Sequence, residues 1–242
     1  MTSVDIVIPV YNEEHVLAES VATLRKFLAQ GFPYEYRIVI ADNASTDGTL
    51  DVAQRLAQKQ PDVASLHIPQ KGRGRALRAA WLTSPADILS YMDVDLSTDL
   101  AAFPPLIEAI ASDGYDIAIG SRLARGANIR RSVKREVTSR TYNVMIKGMF
   151  FTRFSDAQCG FKAASRRAVQ QLVPLVENNE WFFDTEMLIL AEKAGYRVKE
   201  IPVRWLEDPD TRVNVPKTVW EDVRGLLRLR WKRPWRGLRR VA

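Results

Sequence analysis

Short apolar runs alternate with amphipathic segments over the first half of the chain, and this alternation limits the possible folds more than any other feature. Five runs rich in β-branched residues are predicted to be strands, namely residues 5–10, 36–41, 64–68, 88–92 and 116–120. The segments between them have helical periodicity; within residues 14–30, for example, apolar side chains recur on one side. This spacing predicts right-handed βαβ units around a mainly parallel sheet, and therefore the α/β fold class.

The second half of the chain is less regular. Its predicted elements are a loop at residues 123–128, a basic helix with an apolar side at 130–151, a strand at 156–164, a helix at 185–194 and an alternating segment at 197–205. The alternating segment is expected to rejoin the sheet near an edge, because Pro202 cannot donate a ladder hydrogen bond. Near the N-terminus, Asn12 is predicted to cap the first helix.

Composition limits the compartment and the class of protein. The 242 residues suffice for one large α/β domain with a sizeable core. One cysteine cannot form an internal disulfide, and one cysteine with two histidines excludes a zinc cluster, so a reducing cytoplasm is the expected compartment. No segment approaches the roughly 18 apolar residues of a membrane-spanning helix, and the N-terminus does not resemble a signal peptide.

Charge is distributed unevenly along the chain. The formal net charge is +6, and residues 217–242 hold nine Lys and Arg against two acidic residues, a net +7 that leaves −1 for residues 1–216. A basic tail favours anionic partners such as lipid head groups or nucleic acid. The simplest division is one domain at residues 1–216 followed by a basic appendage at 217–242.

Polar residues follow three of the predicted strands. Ligands of open α/β sheets bind beyond the carboxyl ends of the strands, so these positions are candidates for a site. The three segments are Pro9-Val10-Tyr11-Asn12-Glu13, Asp42-Asn43-Ala44-Ser45-Thr46-Asp47-Gly48 and Asp93-Val94-Asp95. Taken alone, Asp42 and Ser45 fit a turn and a helix cap equally well. Their placement at successive strand ends favours a common site.

Asp93-x-Asp95 is the sharpest of these features. Two carboxylates this close repel each other unless a cation or hydrogen-bond donors offset their charge. A hard divalent ion with oxygen ligands, Mg²⁺ or Mn²⁺, would do so and could also hold a diphosphate. The alternative for an isolated pair of this kind is a solvated loop.

A glycine-rich basic segment, Lys71-Gly72-Arg73-Gly74-Arg75, lies between the third and fourth predicted strands. Glycines among cations at the start of a helix suit an anionic ligand. The spacing matches neither the Walker motif nor the dinucleotide fingerprint. A solvated basic turn is the alternative.

Five short motifs in a fixed order carry a resemblance to a known family. They are Pro9-Val10-Tyr11-Asn12-Glu13, Asp42 with Ser45-x-Asp47-Gly48-Thr49, Lys71-Gly72, Asp93-x-Asp95 and Gly120-Ser121-Arg122. In order and spacing they resemble glycosyltransferase family 2. The sequences DAQCGFK at residues 156–162 and WFFDTE at 181–186 look more narrowly like dolichyl-phosphate sugar synthases, and are closer to the glucose synthases than to the mannose ones. The resemblance covers about residues 4–216 and implies a Rossmann-like GT-A fold.

The resemblance also implies roles for particular residues. The nucleotide-sugar would be held by Pro9, Tyr11, Glu13, Ile40, Asp42, Lys71, Asp93, Val94, Asp95, Arg122 and Arg212. Asp95 would be the chief metal ligand, with Asp93 beside it. Ser97 stands where many mannosyl relatives have Gln as a further ligand, and a hydroxyl or a water is expected to substitute. Arg122 would bridge the donor and acceptor phosphates, while Arg135 and Ser139 would hold the acceptor phosphate.

The implied reaction is the inverting transfer of a hexose, glucose from UDP-glucose, to a polyprenyl phosphate. A sugar hydroxyl needs a general base to attack, whereas a lipid phosphate is already anionic. Asp184 and Glu186 are candidates for that base or for a sugar contact, and equally for an acidic pair at a helix start. The alternatives are a GDP-mannose-dependent enzyme, an enzyme acting on a saccharide hydroxyl, and a non-catalytic membrane adaptor.

The tail has an interfacial pattern. Trp220, Val223, Leu227 and Trp231 recur at helical spacing, and Arg224, Arg228 and Lys232 lie toward another face. Tryptophan with arginine on a short amphipathic helix is typical of binding to an anionic membrane surface. The protein is therefore expected at the cytoplasmic face of a membrane, and nucleic acid is not an expected partner. The alternative is a helix that packs on its own domain or on a second copy in a homo-oligomer.

Overall fold

The architecture of the protein was obtained as a computed structural model that describes residues 2–130, 133–206 and 215–238. The described residues form nine strands: β1 (Ser3–Val10), β2 (Glu35–Asn43), β3 (Val63–Ile68), β4 (Ile88–Met92), β5 (Ile117–Ser121), β6 (Asn128–Arg130), β7 (Phe161–Ser165), β8 (Val198–Pro202) and β9 (Arg204–Leu206). They also form eight α-helices: α1 (Leu17–Leu28), α2 (Thr49–Lys59), α3 (Arg73–Thr83), α4 (Phe103–Ala111), α5 (Val133–Phe150), α6 (Arg166–Leu172), α7 (Phe183–Ala194) and α8 (Val215–Lys232).

Seven strands form one sheet in the order β3-β2-β1-β4-β7-β5-β8. All neighbours pair in parallel except β7, which is antiparallel to both β4 and β5. A second sheet consists of β6 and β9. The predicted α/β class with a mainly parallel sheet is therefore confirmed, and β8 lies at the edge of the sheet as Pro202 indicated.

Alternate residues of each strand face opposite sides of the sheet, so the sheet separates two apolar clusters. In β1, Ile6 and Ile8 belong to the cluster beneath α1, α2 and α4, whereas Val7 belongs to the cluster beneath α3, α6 and α7. Burial on both faces explains why the parallel strands read as continuous apolar runs. Among the residues that the structure describes, no helix is both long enough and apolar enough to cross a bilayer.

Two sequence predictions were wrong in detail. Asn12 does not cap α1, which begins at Leu17; Asn12 has a φ of 58° and its side chain instead accepts a hydrogen bond from the Thr46 amide at 2.8 Å. The strand predicted at residues 156–164 begins only at Phe161, because the preceding residues turn around the buried Asp156. Helix α6 and strand β6 were not predicted, and the alternating segment predicted at residues 197–205 is divided between β8 and β9.

The tail helix α8 packs on the body of the protein through one face and exposes the other. Leu226 and Leu229 are buried in the apolar cluster on the α7 side of the sheet. Trp220 and Trp231 lie on the opposite face and are 69% and 90% exposed. One face of the helix therefore packs on the protein's own domain, and the other face is available for a partner. The division at residue 216 stays a prediction.

Polar contacts fix the position of α8. Arg228 forms ion pairs with Glu186 of α7 at 2.6 Å and with Glu177 at 2.7 Å. Gln158 donates a hydrogen bond to Asp222 at 3.3 Å, and burial raises the pKa of Asp222 to about 7. Gly225 lies against the buried ring of Phe182, where a side chain would overlap the ring.

We expect Gly225→Ala to lower the free energy of unfolding by about 1–3 kcal/mol, the usual cost of forcing an extra methyl group into a packed core. Denaturant or thermal unfolding measures the effect. Gly148→Ala is the matched control, because Gly148 also lies in a helix, α5, and a Cβ there would meet nothing within 4 Å. The control should be about 0.5–1 kcal/mol more stable than the wild type. Equal effects of the two changes would contradict the packing of α8 on Phe182.

Candidate functional site

The carboxyl ends of β1, β2, β3 and β4 lie along one edge of the sheet, since these strands are parallel. The loops that follow them are joined by hydrogen bonds. The Asn12 amide donates to Ser45 Oγ at 3.0 Å, the Glu13 amide donates to Thr49 Oγ1 at 2.7 Å, and the Gly72 amide donates to Asn43 Oδ1 at 3.0 Å. The sequence-predicted motifs after the first three strands are thus brought together.

The predicted nucleoside residues differ in exposure. Tyr11 and Glu13 keep part of their surface exposed, and Lys71 Nζ lies 3.6 Å from the centroid of the Tyr11 ring. Pro9 is also partly exposed. Ile40 and Asp42 have no exposed surface in this structure. Their direct contact with a nucleoside stays a prediction.

Arg73 is the central cation of the site. Its Nη2 lies 2.7 Å from Asp93 Oδ1 and its Nη1 lies 2.7 Å from Asp184 Oδ2. The guanidinium carbon lies 4.8 Å from the ring centroid of Tyr91 and 5.1 Å from that of Trp181. Burial opposes the charge of Arg73, but the nearby carboxylates outweigh it, Asp93 most strongly, and raise the pKa above its usual value. One side chain therefore ties the loop after β4 to the start of α7.

A second buried cation supports this cluster. Lys162 Nζ is fully buried, donates to Tyr91 Oη at 3.0 Å and also bonds to the carbonyl of Cys159. Tyr91 Oη in turn donates to Asp184 Oδ1 at 2.7 Å. Sequence reasoning did not assign Arg73, Trp181 or Lys162 to the site. Arg73 belongs to the basic glycine-rich segment, Lys162 to the DAQCGFK motif and Trp181 to the WFFDTE motif. Only the fold brings these three side chains together beside Asp93 and Asp184.

The Asp93-x-Asp95 pair fits a hard divalent ion held jointly with a diphosphate. Asp95 is exposed and accepts a hydrogen bond from the Ser97 amide at 3.0 Å, which places Ser97 beside it. Asp93 shares one oxygen with Arg73, and its carboxylate lies directly against Gly160. Within the described ranges, no three His, Cys, Asp or Glu side chains form a metal cluster. Diphosphate oxygens and water would therefore complete the coordination, as is usual for Mg²⁺.

Arg122 is already engaged by a carboxylate. Its Nε and Nη2 donate to the two oxygens of Asp156 at 2.8 and 3.0 Å, and its guanidinium lies 5.4 Å from the Trp205 ring centroid. Burial alone would raise the pKa of Asp156, but the charge of Arg122 lowers it below its usual value. The edge of the Arg122 guanidinium that carries Nε and Nη2 is thus occupied by Asp156. Its predicted bridging of two phosphates would have to rely on the remaining nitrogen, Nη1.

The predicted acceptor residues are only partly described. Ser139 lies on the buried side of α5, and its Oγ has no hydrogen-bond partner within the described part of the chain. The side chains of Arg135 and Arg212 lie outside the described residues. The roles of Arg135 and Ser139 at an acceptor phosphate, and of Arg212 at the donor diphosphate, stay predictions.

Asp184 and Glu186 lie in the first turn of α7, and both are paired. Asp184 is held by Arg73 and Tyr91, as described above. Glu186 is fully buried and accepts hydrogen bonds from the amides of Glu177 at 3.2 Å and Asn178 at 3.0 Å, besides its ion pair with Arg228. The geometry favours the alternative of an acidic pair at a helix start over a general base.

Comparison with known proteins identifies the class of this one. The model of glycosyl transferase family 2 matches residues 5–173, so the chain belongs to that family. The resemblance that its motifs carry is therefore confirmed, and so is its interpretation as a glycosyltransferase.

Several relatives carry more specific names. Glycosyltransferase AglD of Haloferax volcanii is 36% identical over 231 residues, which are 95% of this chain and 37% of that protein. The dolichyl-phosphate β-glucosyltransferase ALG5C of Trichomonas vaginalis is 29% identical over 220 residues, covering 86% of this chain and 65% of that one. The dolichyl-phosphate β-glucosyltransferase of Drosophila melanogaster is 29% identical over 251 residues, covering 98% and 77%. This chain thus spans about a third of the first relative and two thirds of the second.

Solved structures confirm the fold. Glucosyl-3-phosphoglycerate synthase of Mycobacterium tuberculosis, crystallised with UDP, superposes with a TM-score of 0.72 at 18% identity over 95% of this chain and 80% of that one. Mannosyl-3-phosphoglycerate synthase of Rubrobacter xylanophilus gives a TM-score of 0.71 at 17% identity over 96% and 76%. The GT-A architecture expected from the sequence is the one observed.

We expect Gly160→Ala to abolish most of the transfer activity while leaving the protein folded. A Cβ at this position would overlap the Asp93 carboxylate, so that carboxylate must leave its place beside Arg73. Calorimetry of Mn²⁺ binding in the presence of UDP should show at least about tenfold weaker binding, the loss expected for one displaced charged contact.

Gly237→Ala is the control for this change, because a Cβ there would meet nothing within 4 Å. It should bind Mn²⁺ and UDP as the wild type does. Wild-type metal binding by Gly160→Ala would show that Asp93 is not a ligand.

Proposed function

We propose that the protein transfers a hexose, glucose from UDP-glucose, to a polyprenyl phosphate at a membrane surface, with inversion at the anomeric carbon. The observation that carries the proposal is the pairing of the site's buried carboxylates. Asp156, Asp184 and Glu186 each form an ion pair with an arginine, and Asp93 also pairs with Arg73. Such a site suits an acceptor that needs no base.

On the donor side, the site offers one place for a nucleoside and one for a diphosphate. Tyr11, Glu13 and Lys71 flank the nucleoside place, and Asp93 with Asp95 marks the diphosphate place. A bound Mg²⁺ or Mn²⁺ would neutralise the charge that develops on the departing nucleoside diphosphate. Relatives named dolichyl-phosphate β-glucosyltransferase support glucose as the sugar and a lipid phosphate as the acceptor.

On the acceptor side, a phosphate oxygen attacks the anomeric carbon, the bond to the diphosphate oxygen breaks, and UDP leaves with the bonding electrons. An α-linked donor thus gives a β-linked lipid-phosphate sugar. No proton has to be removed from a phosphate that is already ionised, so the protein need only position and shield it. Arg122, Arg135 and Ser139 are the residues proposed to hold it, with Arg212 near the donor diphosphate.

The reaction predicts a clear outcome with labelled donors. With Mn²⁺ and polyprenyl phosphate in liposomes, label from UDP-glucose should enter the lipid fraction, whereas label from GDP-mannose should not. Asp95→Ala should lower the rate by about a hundredfold or more, as removal of one group that stabilises transition-state charge does. EDTA should stop the reaction. Asp113→Ala, which changes an exposed aspartate of the loop after α4, is the matched control.

Each of the alternatives corresponds to a different result. Labelled lipid from GDP-mannose would reassign the donor, and label that appears only in a water-soluble saccharide would reassign the acceptor. A protein that binds liposomes but transfers and hydrolyses no donor would be the non-catalytic adaptor.

The outer face of α8 is proposed to hold the enzyme on the membrane. Trp220, Leu227 and Trp231 are exposed there, and Arg224 and Arg230 lie exposed on the same helix. Aromatic side chains anchor in the interface, and each cation near an anionic leaflet adds about 1 kcal/mol. Association at the cytoplasmic face of a membrane follows from the proposal.

Replacing both exposed tryptophans tests this surface without disturbing the packed face of α8. Trp220→Ser with Trp231→Ser should weaken co-sedimentation with anionic liposomes at least about tenfold, because the aromatic share of binding is lost. The melting temperature should stay close to that of the wild type. Val16→Ser with Leu82→Ser, which changes two exposed apolar side chains elsewhere, is the control. Unchanged liposome binding by the tryptophan variant would show that the protein binds the membrane through a surface other than the outer face of α8.

A further inference from the structure

We propose that Asp222 of the tail helix α8 is a positioning residue for sugar transfer, and that it acts through its hydrogen bond to Gln158. Gln158 lies in the segment 156–160, which contacts both Arg122 and Asp93. The inference rests on the proposed function, since its test follows transfer from a nucleotide-sugar. It goes further by making α8 a support of the site as well as the proposed contact with the membrane.

The segment 156–160 contacts two charged residues of the site. At its start, Asp156 accepts hydrogen bonds from Nε and Nη2 of Arg122 at 2.8 and 3.0 Å. At its end, the Gly160 carbonyl accepts a hydrogen bond from the Asp93 amide at 3.1 Å, and a Cβ on Gly160 would overlap the Asp93 carboxylate. A shift of this segment would therefore move the arginine and the carboxylate together.

Gln158 is the middle residue of the segment and is bonded in two directions. Its amide donates to Asp156 Oδ1 at 3.2 Å, and its Nε2 donates to Asp222 Oδ2 at 3.3 Å. Asp222 is only 3% exposed, and its helix is fixed independently by the ion pair of Arg228 with Glu186. The Gln158 side chain is therefore held by a helix whose own position is set elsewhere.

Helix α5 holds the main chain of the same segment. Asn143 Oδ1 accepts a hydrogen bond from the Ala157 amide at 3.1 Å. Beside it on α5, Tyr142 Oη lies 3.0 Å from Thr185 Oγ1 of α7. These contacts do not involve Asp222. Loss of the Asp222 carboxylate should therefore shift the segment slightly and leave it folded.

Asp222 is a costly residue to bury. Its Oδ1 has no hydrogen-bond partner among the residues that the structure describes. Burial raises the pKa of Asp222 to about 7, and hydrogen bonding by the Tyr142 hydroxyl offsets this only in part. A buried polar atom without a partner lowers stability. Replacing Asp222 should therefore cost little stability, whereas a role in catalysis predicts a loss of rate.

The test measures kcat and KM for UDP-glucose with Mn²⁺ and polyprenyl phosphate in liposomes. Asp222→Val is close in size to aspartate but cannot accept from Gln158, and it should lower kcat at least about tenfold, because small misplacements of catalytic groups are expensive. The KM for the donor and the melting temperature should stay close to those of the wild type. Asp222→Asn keeps a side-chain oxygen for Gln158 and should retain the wild-type kcat.

A double-mutant cycle tests whether Asp222 acts through Gln158. Gln158→Leu should also lower kcat, and adding it to Asp222→Val should cause no further loss, since both changes break one hydrogen bond. Co-sedimentation of Asp222→Val with anionic liposomes should be unchanged, because Asp222 lies on the packed face of α8. Asp113→Val, which changes an exposed aspartate after α4, is the matched control and should behave as the wild type.

Several results would overturn the inference. They are wild-type kcat in Asp222→Val, an equal loss in Asp222→Asn, and losses from Asp222→Val and Gln158→Leu that add. A loss of kcat that disappears when the assay is run well below the melting temperature would show a merely structural role and would also overturn it. If Asp222→Val does not fold, Asp222→Ala takes its place in the same comparisons.

Failure of the proposed function gives a different result. A wild type that transfers from GDP-mannose instead would overturn the proposed donor alone, and the same variants measured with that donor would decide the role of Asp222. A wild type that turns over neither nucleotide-sugar would overturn the proposed function and the inference together.

Discussion

The ion pairs of Arg73 with Asp93 and Asp184 are the interaction on which the site depends. They join three segments that are far apart in sequence: the start of α3, the loop after β4 and the first turn of α7. The pair with Asp184 is buried, and removing one partner of a buried pair leaves an uncompensated charge, which typically costs about 3–5 kcal/mol. The pair with Asp93, whose side chain is 44% exposed, adds a weaker tie to the loop after β4. Gly74 permits this approach, since a Cβ there would overlap the side chain of Phe183. The cation of the glycine-rich segment is thus structural before any ligand binds.

The regular part of the fold could be predicted from the sequence because periodicity reports burial directly. Strand β4 has the predicted bounds, and the parallel half of the sheet follows from strand–helix alternation. Other features depend on pairing across the fold, which periodicity does not report. Asn12 had the residue type of a helix cap, but its side chain binds Thr46 on the neighbouring loop.

The candidate site was predictable to a similar extent. The strand-end motifs meet as expected, because parallel strands bring their carboxyl ends to one edge. The partners of the acidic residues were not predictable, since Arg122 finds Asp156 and Glu186 finds Arg228 only after the chain has folded.

The arginines of the site are paired with carboxylates before any ligand binds, and this affects how the site can catalyse a reaction. Arginines that are held by carboxylates and stacked on Tyr91, Trp181 or Trp205 do not have to reorient when an anionic ligand arrives. Preorganised charge of this kind stabilises a departing diphosphate without a reorganisation cost. The same pairing occupies the carboxylates of Asp156, Asp184 and Glu186 with arginines, and the charge of Arg122 holds the pKa of Asp156 below its usual value. A site whose buried carboxylates are already paired suits displacement by an oxygen that is already negative. The electrostatics of the fold therefore support the proposed phosphate acceptor over a hydroxyl.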